Sequence, residues 1–133
     1  MIDRVSVLIV KDGKLLSARS RGKEVFYIPG GKREPGESDR ETLLRETREE
    51  LGVGLLSDSI VFFGAFTGPA HGKPAGTVLC NRCYLAEPDG IPIPSSEVEE
   101  LRWQGMEALS SLPPADEKVY RALFEQGLIR YSV

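Results

Sequence analysis

The feature that most constrains this 133-residue chain is the stretch at residues 38–52, where a helix is written out from cap to cap. Ser38 stands three positions before Glu41, the pairing in which each side chain satisfies a free amide at a helix start. Gly52 supplies the left-handed residue that ends such a helix. Between the caps, 100° per residue gathers Glu46, Glu49 and Glu50 into an arc of roughly 100°. Leu43, Leu44, Thr47 and Leu51 fill the other side, so the helix docks on a sheet and leaves three carboxylates at the rim of a cleft. Like charges at this spacing repel, the more so where water is excluded, and a bound cation removes that cost. Oxygen donors with no histidine nearby favour magnesium or manganese over zinc or copper. Arg45 lies four residues after Glu41 and four before Glu49, placed to pair with either and steady the acidic face. A solvated helix laced with ordinary i, i+4 pairs would carry the same charges, so the residues flanking it decide.

Those residues read as a sheet-based domain. Residues 5–10 and 15–20 flank Asp12-Gly13 and predict a hairpin, because Asp-Gly suits a tight turn with positive φ. A basic loop at 19–23 leads to a short apolar strand at 25–28, stopped by Pro29-Gly30-Gly31. Strand patterns return at 60–67, 77–86 and around 98–103, and a last helix is expected from about Ala115 to Gln126, after Pro113-Pro114 and before Gly127. No repeat, low-complexity segment or second linker interrupts the order, so one domain over residues 1–133 is expected.

Hydrophobic residues make up 41% of the chain and charged residues 28%, inside the globular range and outside the disordered one. No apolar run approaches the roughly 20 residues that a bilayer needs, and residues 1–4 lead straight into a strand without a signal-peptide pattern, so a cytoplasmic protein is expected. The formal net charge of −3 argues against broad electrostatic capture of DNA or a membrane surface. Cys80 and Cys83 form a C-x-x-C, but in an extended segment this odd spacing sends them to opposite faces, away from a shared metal. His71, the only histidine, sits in a Gly/Pro loop and reads as a loop residue rather than a catalytic one.

The whole stretch from Gly31 to Val53 resembles the signature of the Nudix hydrolase family, G-x5-E-x7-R-E-U-x-E-E-x-G-U with U a bulky aliphatic residue. Gly31, Glu37, Arg45, Glu46, Glu49, Glu50, Gly52 and Val53 match in register, and Thr47 alone replaces an aliphatic position, on the packing side. The resemblance implies an α+β fold, an α/β/α sandwich with a mixed β-sheet and a catalytic loop-helix-loop at residues 31–53. It implies hydrolysis of a nucleoside diphosphate linked to a further moiety, with Mg2+ or Mn2+ as cofactor. It makes Glu46, Glu49 and Glu50 the metal ligands, with the Gly30 or Gly31 carbonyl, and Arg45 and Glu37 their orienting partners. The general base is left open between Glu49, Glu46 and Glu100, the last in a Glu-Val-Glu-Glu-Leu-Arg-Trp run similar to one at the cleft wall of many members.

A diphosphate needs cations, and Lys32, Arg33 and the loop residues Arg19, Arg21 and Lys23 lie near the same end of the sheet. Base recognition is expected from an apolar slot at Phe26 and Tyr27, of which strand alternation admits only one face. Leu112-Pro113-Pro114-Ala115-Asp116 resembles a segment of MutT-type members in which an asparagine reads the base. Ionised Asp116 would accept from an exocyclic amino group, and it would serve equally as a helix N-cap. A nucleoside or deoxynucleoside triphosphate, split into monophosphate and pyrophosphate, is the expected substrate. ADP-ribose or a nucleoside diphosphate sugar is the alternative, for which the spacing of Pro69 from the motif speaks, and a nucleotide-sensing domain without turnover is another. The chain is expected to act on a small nucleotide as a monomer or homodimer.

Overall fold

The apolar run at residues 5–10 is divided between two sheets. In a computed structural model that describes residues 1–70 and 72–132, strand β1 (Ile2–Leu8) ends before Ile9, and a new strand, β2 (Val10–Lys11), pairs with β3 (Lys14–Ser20). Asp12 and Gly13 join them with φ of 53° and 76°, the left-handed pair that a type I′ turn requires. The expected hairpin is therefore confined to Val10 and Lys11 opposite Leu15 and Lys14. β1 instead takes a parallel partner, β7 (Val78–Leu85), from Ile2 opposite Leu79 to Leu8 opposite Leu85. A strand with neighbours on both edges satisfies more backbone than a two-stranded ribbon does.

The first sheet is mixed, in the order β5-β1-β7-β6, where β5 is Gly30–Lys32 and β6 is Val61–Pro69. β5 replaces the simple stop expected at Pro29-Gly30-Gly31, pairing Gly31 with Val5 and Gly30 with Ser6. In the second sheet β3 stands between β2 and β4 (Phe26–Tyr27) and also pairs with β8 (Val98–Gln104), antiparallel throughout. Two helices, α1 (Asp39–Leu51) and α2 (Pro114–Glu125), cover opposite faces.

Alternation along β1 sorts the core into two layers. Val5, Val7 and Ile9 pack with Leu16, Leu43 and Leu51 on the α1 side. Leu8 packs with Leu15, Cys83, Val119, Tyr120 and Leu123 on the α2 side. This is an α/β/α sandwich with a mixed sheet, as the family resemblance implies. Cys80 and Cys83 are free thiols, and His71 lies outside the described residues. No helix among the described residues is long and apolar enough to cross a membrane.

α1 has the caps that its sequence specifies. Ser38 Oγ accepts from the Glu41 amide at 3.1 Å, Glu41 Oε1 accepts from the Ser38 amide at 2.9 Å, and Gly52 turns left-handed at φ 67°. α2 has no such cap, because Pro113 stands at its N-cap and Asp116 is directed elsewhere.

Candidate active site

Two glycines let α1 reach the sheet. A Cβ at Gly31 would fall on the carboxyl group of Glu46, and one at Gly30 on the Val5 carbonyl and Ser6. Only bare backbone at β5 lets the acidic face of α1 lie against the strand. The Gly30 amide donates to Glu50 Oε1 at 2.9 Å, and the Tyr27 hydroxyl lies 3.5 Å from Oε2. Burial pushes the Glu50 carboxyl up to about 7; the charge of Glu46 adds to the rise, and Arg4 and the Gly30 amide oppose it. Glu46 is raised as well, by burial and then by the charge of Glu49, against the pull of Arg45. Glu49 is half exposed at the outer edge.

Arg45 binds the motif together. Its Nε and Nη2 grip the two oxygens of Glu37 at 2.8 and 2.9 Å, Nη2 also donates to the Lys32 carbonyl at 3.1 Å, and Nη1 holds Glu46 at 2.8 Å. Glu49 lies 3.6 Å from the same Nη1. Of the two partners the spacing offered, Glu49 is therefore near, and Glu41 is committed to the capping box. The Arg45 guanidinium, helped by the Glu34 amide, holds Glu37 down at about 2. The forked grip fixes helix, loop and strand in one arrangement.

These residues fit a hard divalent cation. The donor set is all oxygen, the Gly31 cradle is one that any Cβ would fill, and burial raises the proton affinity of Glu46 and Glu50, a cost that a bound cation would offset. Among the described residues the three carboxylates do not yet close around one point.

Beside them lies a cleft of about 530 Å³ whose lining includes Arg4, Lys23, Tyr27, Lys32, Pro113 and Asp116. Tyr27 and Phe26 part company here, as alternation demands. Tyr27 faces the cleft, whereas Phe26 lines a second hollow of about 470 Å³ with Glu100, where the Arg102 guanidinium sits 4.1 Å from its ring centroid. Glu100 is engaged there by Arg19 at 3.2 Å, and Glu99 holds the same arginine at 2.9 Å. Arg33 turns away from the cleft to Asp39 at 2.7 Å and Asp3 at 3.4 Å, and Arg21 lies on the Ser96 carbonyl. Of the cations expected at the phosphates, Lys32 and Lys23 line the cleft, together with Arg4 and Lys73.

Asp116, 5% exposed, is no N-cap: its Oδ2 accepts from the Ile28 amide at 3.1 Å. Two features escape a sequence reading. One is Asp39, which gathers Arg33, Arg82 and Tyr84 and pins the start of α1 to β7. The other is Arg4, which donates to the Ile28 carbonyl at 2.8 Å and sits 5.6 Å from the Tyr27 ring centroid. Its signal was a cation among Ile2, Ser6 and Leu8 on one face of β1.

A NUDIX domain profile matches residues 2–126. The chain belongs to the Nudix hydrolase family, a family of enzymes. It is 44% identical over 57 residues to a CTP pyrophosphohydrolase of Escherichia coli, a match covering 40% of this chain and 42% of that protein. With the asymmetrical bis(5'-nucleosyl)-tetraphosphatase of Mus musculus it shares 33% over 118 residues, 85% of this chain and 76% of the other. Among solved structures it resembles the E. coli ORF135 protein, with a TM-score of 0.76 and 29% identity over 96% of this chain and 91% of that one.

Proposed function

We propose that the chain is a Mg2+-dependent pyrophosphohydrolase of nucleoside or deoxynucleoside triphosphates, with Mn2+ able to replace Mg2+, releasing a monophosphate and pyrophosphate. The observation that carries this reading is the acidic face of α1 seated on Gly30-Gly31 beside a base-sized cleft. The relative named as a CTP pyrophosphohydrolase supports the choice of triphosphate.

Glu46, Glu49 and Glu50, with the Gly30 or Gly31 carbonyl, would hold the metal, which when bound neutralises phosphate charge and lowers the pKa of water. Arg45, fixed by Glu37, keeps Glu46 in place. Glu49, the most exposed of the three, takes the proton from the attacking water, with Glu46 as its alternate. Lys32 and Lys23 hold phosphate oxygens at the cleft. Tyr27 and Asp116 meet the base. Phe26 and Arg33, expected at the substrate, and Glu100, expected as a general base or further metal ligand, are given no part in this reading, since each is engaged elsewhere, by Arg102, Asp39 and Arg19 respectively. The domain is proposed to be a single one over residues 1–133.

Product chromatography on nucleoside triphosphates, ADP-ribose and a dinucleoside polyphosphate tests this reading, with Glu49→Gln alongside. Monophosphate and pyrophosphate should form from a triphosphate, and the variant should lose at least a hundredfold in kcat. Turnover of ADP-ribose alone would move the substrate to that class, and turnover in the variant equal to wild type would remove Glu49 from the mechanism.

A further inference from the structure

A charged pair at the floor of the cleft is held by the peptide groups of a single residue. The Ile28 amide donates to Asp116 Oδ2 at 3.1 Å, and the Ile28 carbonyl accepts from Arg4 Nη2 at 2.8 Å. In extended chain the N–H and C=O of one residue point to the same side, so the carboxylate and the guanidinium stand side by side. Both line the cleft, yet no ion pair within 4 Å joins them among the described residues. An acceptor and a donor thus face the same space, neither consumed by the other.

Arg4 is held in this pose from behind. Its Nε donates to Ser6 Oγ at 3.3 Å, and Ser6 Oγ donates to the Oδ1 of buried Asn81 at 2.8 Å. The Tyr27 ring lies alongside the guanidinium. Nε and one Nη2 hydrogen are occupied, and the Nη1 side of the planar fork remains for a ligand.

We infer that Arg4, beside Asp116, selects a nucleobase edge presenting an amino donor next to two acceptors, which is the edge of cytosine. Asp116 accepts from the exocyclic amine, and the guanidinium fork donates to the ring nitrogen and the 2-oxo group. Adenine offers the amine and one ring nitrogen but a C–H where the second acceptor belongs. Uracil and guanine set a carbonyl against the carboxylate and an N–H against the guanidinium, and are rejected on both counts. The inference rests on the nucleotide reading proposed above and names its base.

The test measures equilibrium binding of CMP, AMP, UMP and GMP by calorimetry, and kcat and KM for the four triphosphates, in wild type and Arg4→Lys. Lysine keeps the charge and loses the fork. Wild type should favour cytosine over uracil and guanine by about tenfold or more, and over adenine by less. Arg4→Lys should lose this ranking, the loss falling on KM more than on kcat. If Arg4→Lys fails to fold, Ser6→Ala, which frees Arg4 from behind, should blunt the preference in the same direction. A wild type indifferent to base, or an unchanged ranking in a folded variant, overturns the inference while leaving triphosphate hydrolysis standing. A cytosine preference in binding with no turnover of any triphosphate upholds it and overturns the hydrolase reading.

Discussion

Asp116 shows what a single residue costs the fold for the sake of the cleft. Burial pushes its carboxyl up to about 6 from an ordinary 3.8, against the pull of Arg4 and the Ile28 amide. The folded chain therefore holds this proton more tightly than the unfolded chain does. The resulting stability is complete below pH 4 or so and is lost as pH rises through about 6. Asp116→Asn keeps an acceptor for Ile28 and carries no charge. It should be more stable than wild type at pH 7.5, by at most about 3 kcal/mol, and no more stable at pH 4. Urea unfolding at the two pH values checks this, and an equal difference at both would show that the charge is not the cause. A buried carboxylate that destabilises at neutral pH and lines the cleft is what the binding role proposed for Asp116 calls for.

At the scale of the element, α1 is both a structural helix and the carrier of the acidic face. Its Ser38 cap satisfies the amide of Glu41 and its Glu41 side chain returns the bond. Ser38→Ala should cost about 1 kcal/mol, read as a lower denaturation midpoint. It should leave kcat near wild type, because Arg45, Glu37 and Asp39 still fix the helix. A large loss of kcat would mean that the cap sets the geometry of the carboxylates. This helix was also the most legible element: caps, apolar side and acidic arc are all local patterns, and the structure starts it at Asp39 and ends it at Leu51. The strand at residues 5–10 was not legible, because nothing within it says that Leu8 and Val10 belong to different sheets. That choice is made by β7, some seventy residues away, which offers β1 a parallel edge.

At the scale of the molecule, α2 packs on both sheets, its Val119, Tyr120 and Leu123 clustering with Leu8 and Cys83 of the first and Leu15 of the second, and it bonds to two strands of the second. Tyr120, fully buried, bonds Ser17 of β3 at 2.7 Å and donates to Gln104 of β8 at 3.3 Å. Tyr120→Phe strands both partners in the interior and should cost about 1–3 kcal/mol, seen as a shifted urea midpoint with an unchanged slope. An unshifted midpoint would mean that Ser17 and Gln104 find other partners. Long separations of this kind set the limit on what sequence disclosed of the site. The contiguous residues 31–53 announced the acidic face and its arginine. Arg4 and Asp116 each left a local mark, a cation on an inward face of β1 and a carboxylate after Pro-Pro-Ala, but their meeting at Ile28 spans separations of 24 and 88 residues and left none. Alternation announced that Phe26 and Tyr27 diverge; which of them faces the cleft was decided by the packing of β4 on β3.

The proposed chemistry requires the carboxylates of α1 to serve a divalent cation. The most direct measurement is pyrophosphate release from CTP as Mg2+ is titrated in and then withdrawn with chelator, in wild type and Glu46→Gln. Release should rise and saturate with Mg2+, stop on chelation, and fall at least a hundredfold in the variant. Release that continues in chelator, or a variant as fast as wild type at equal Mg2+, would contradict this chemistry.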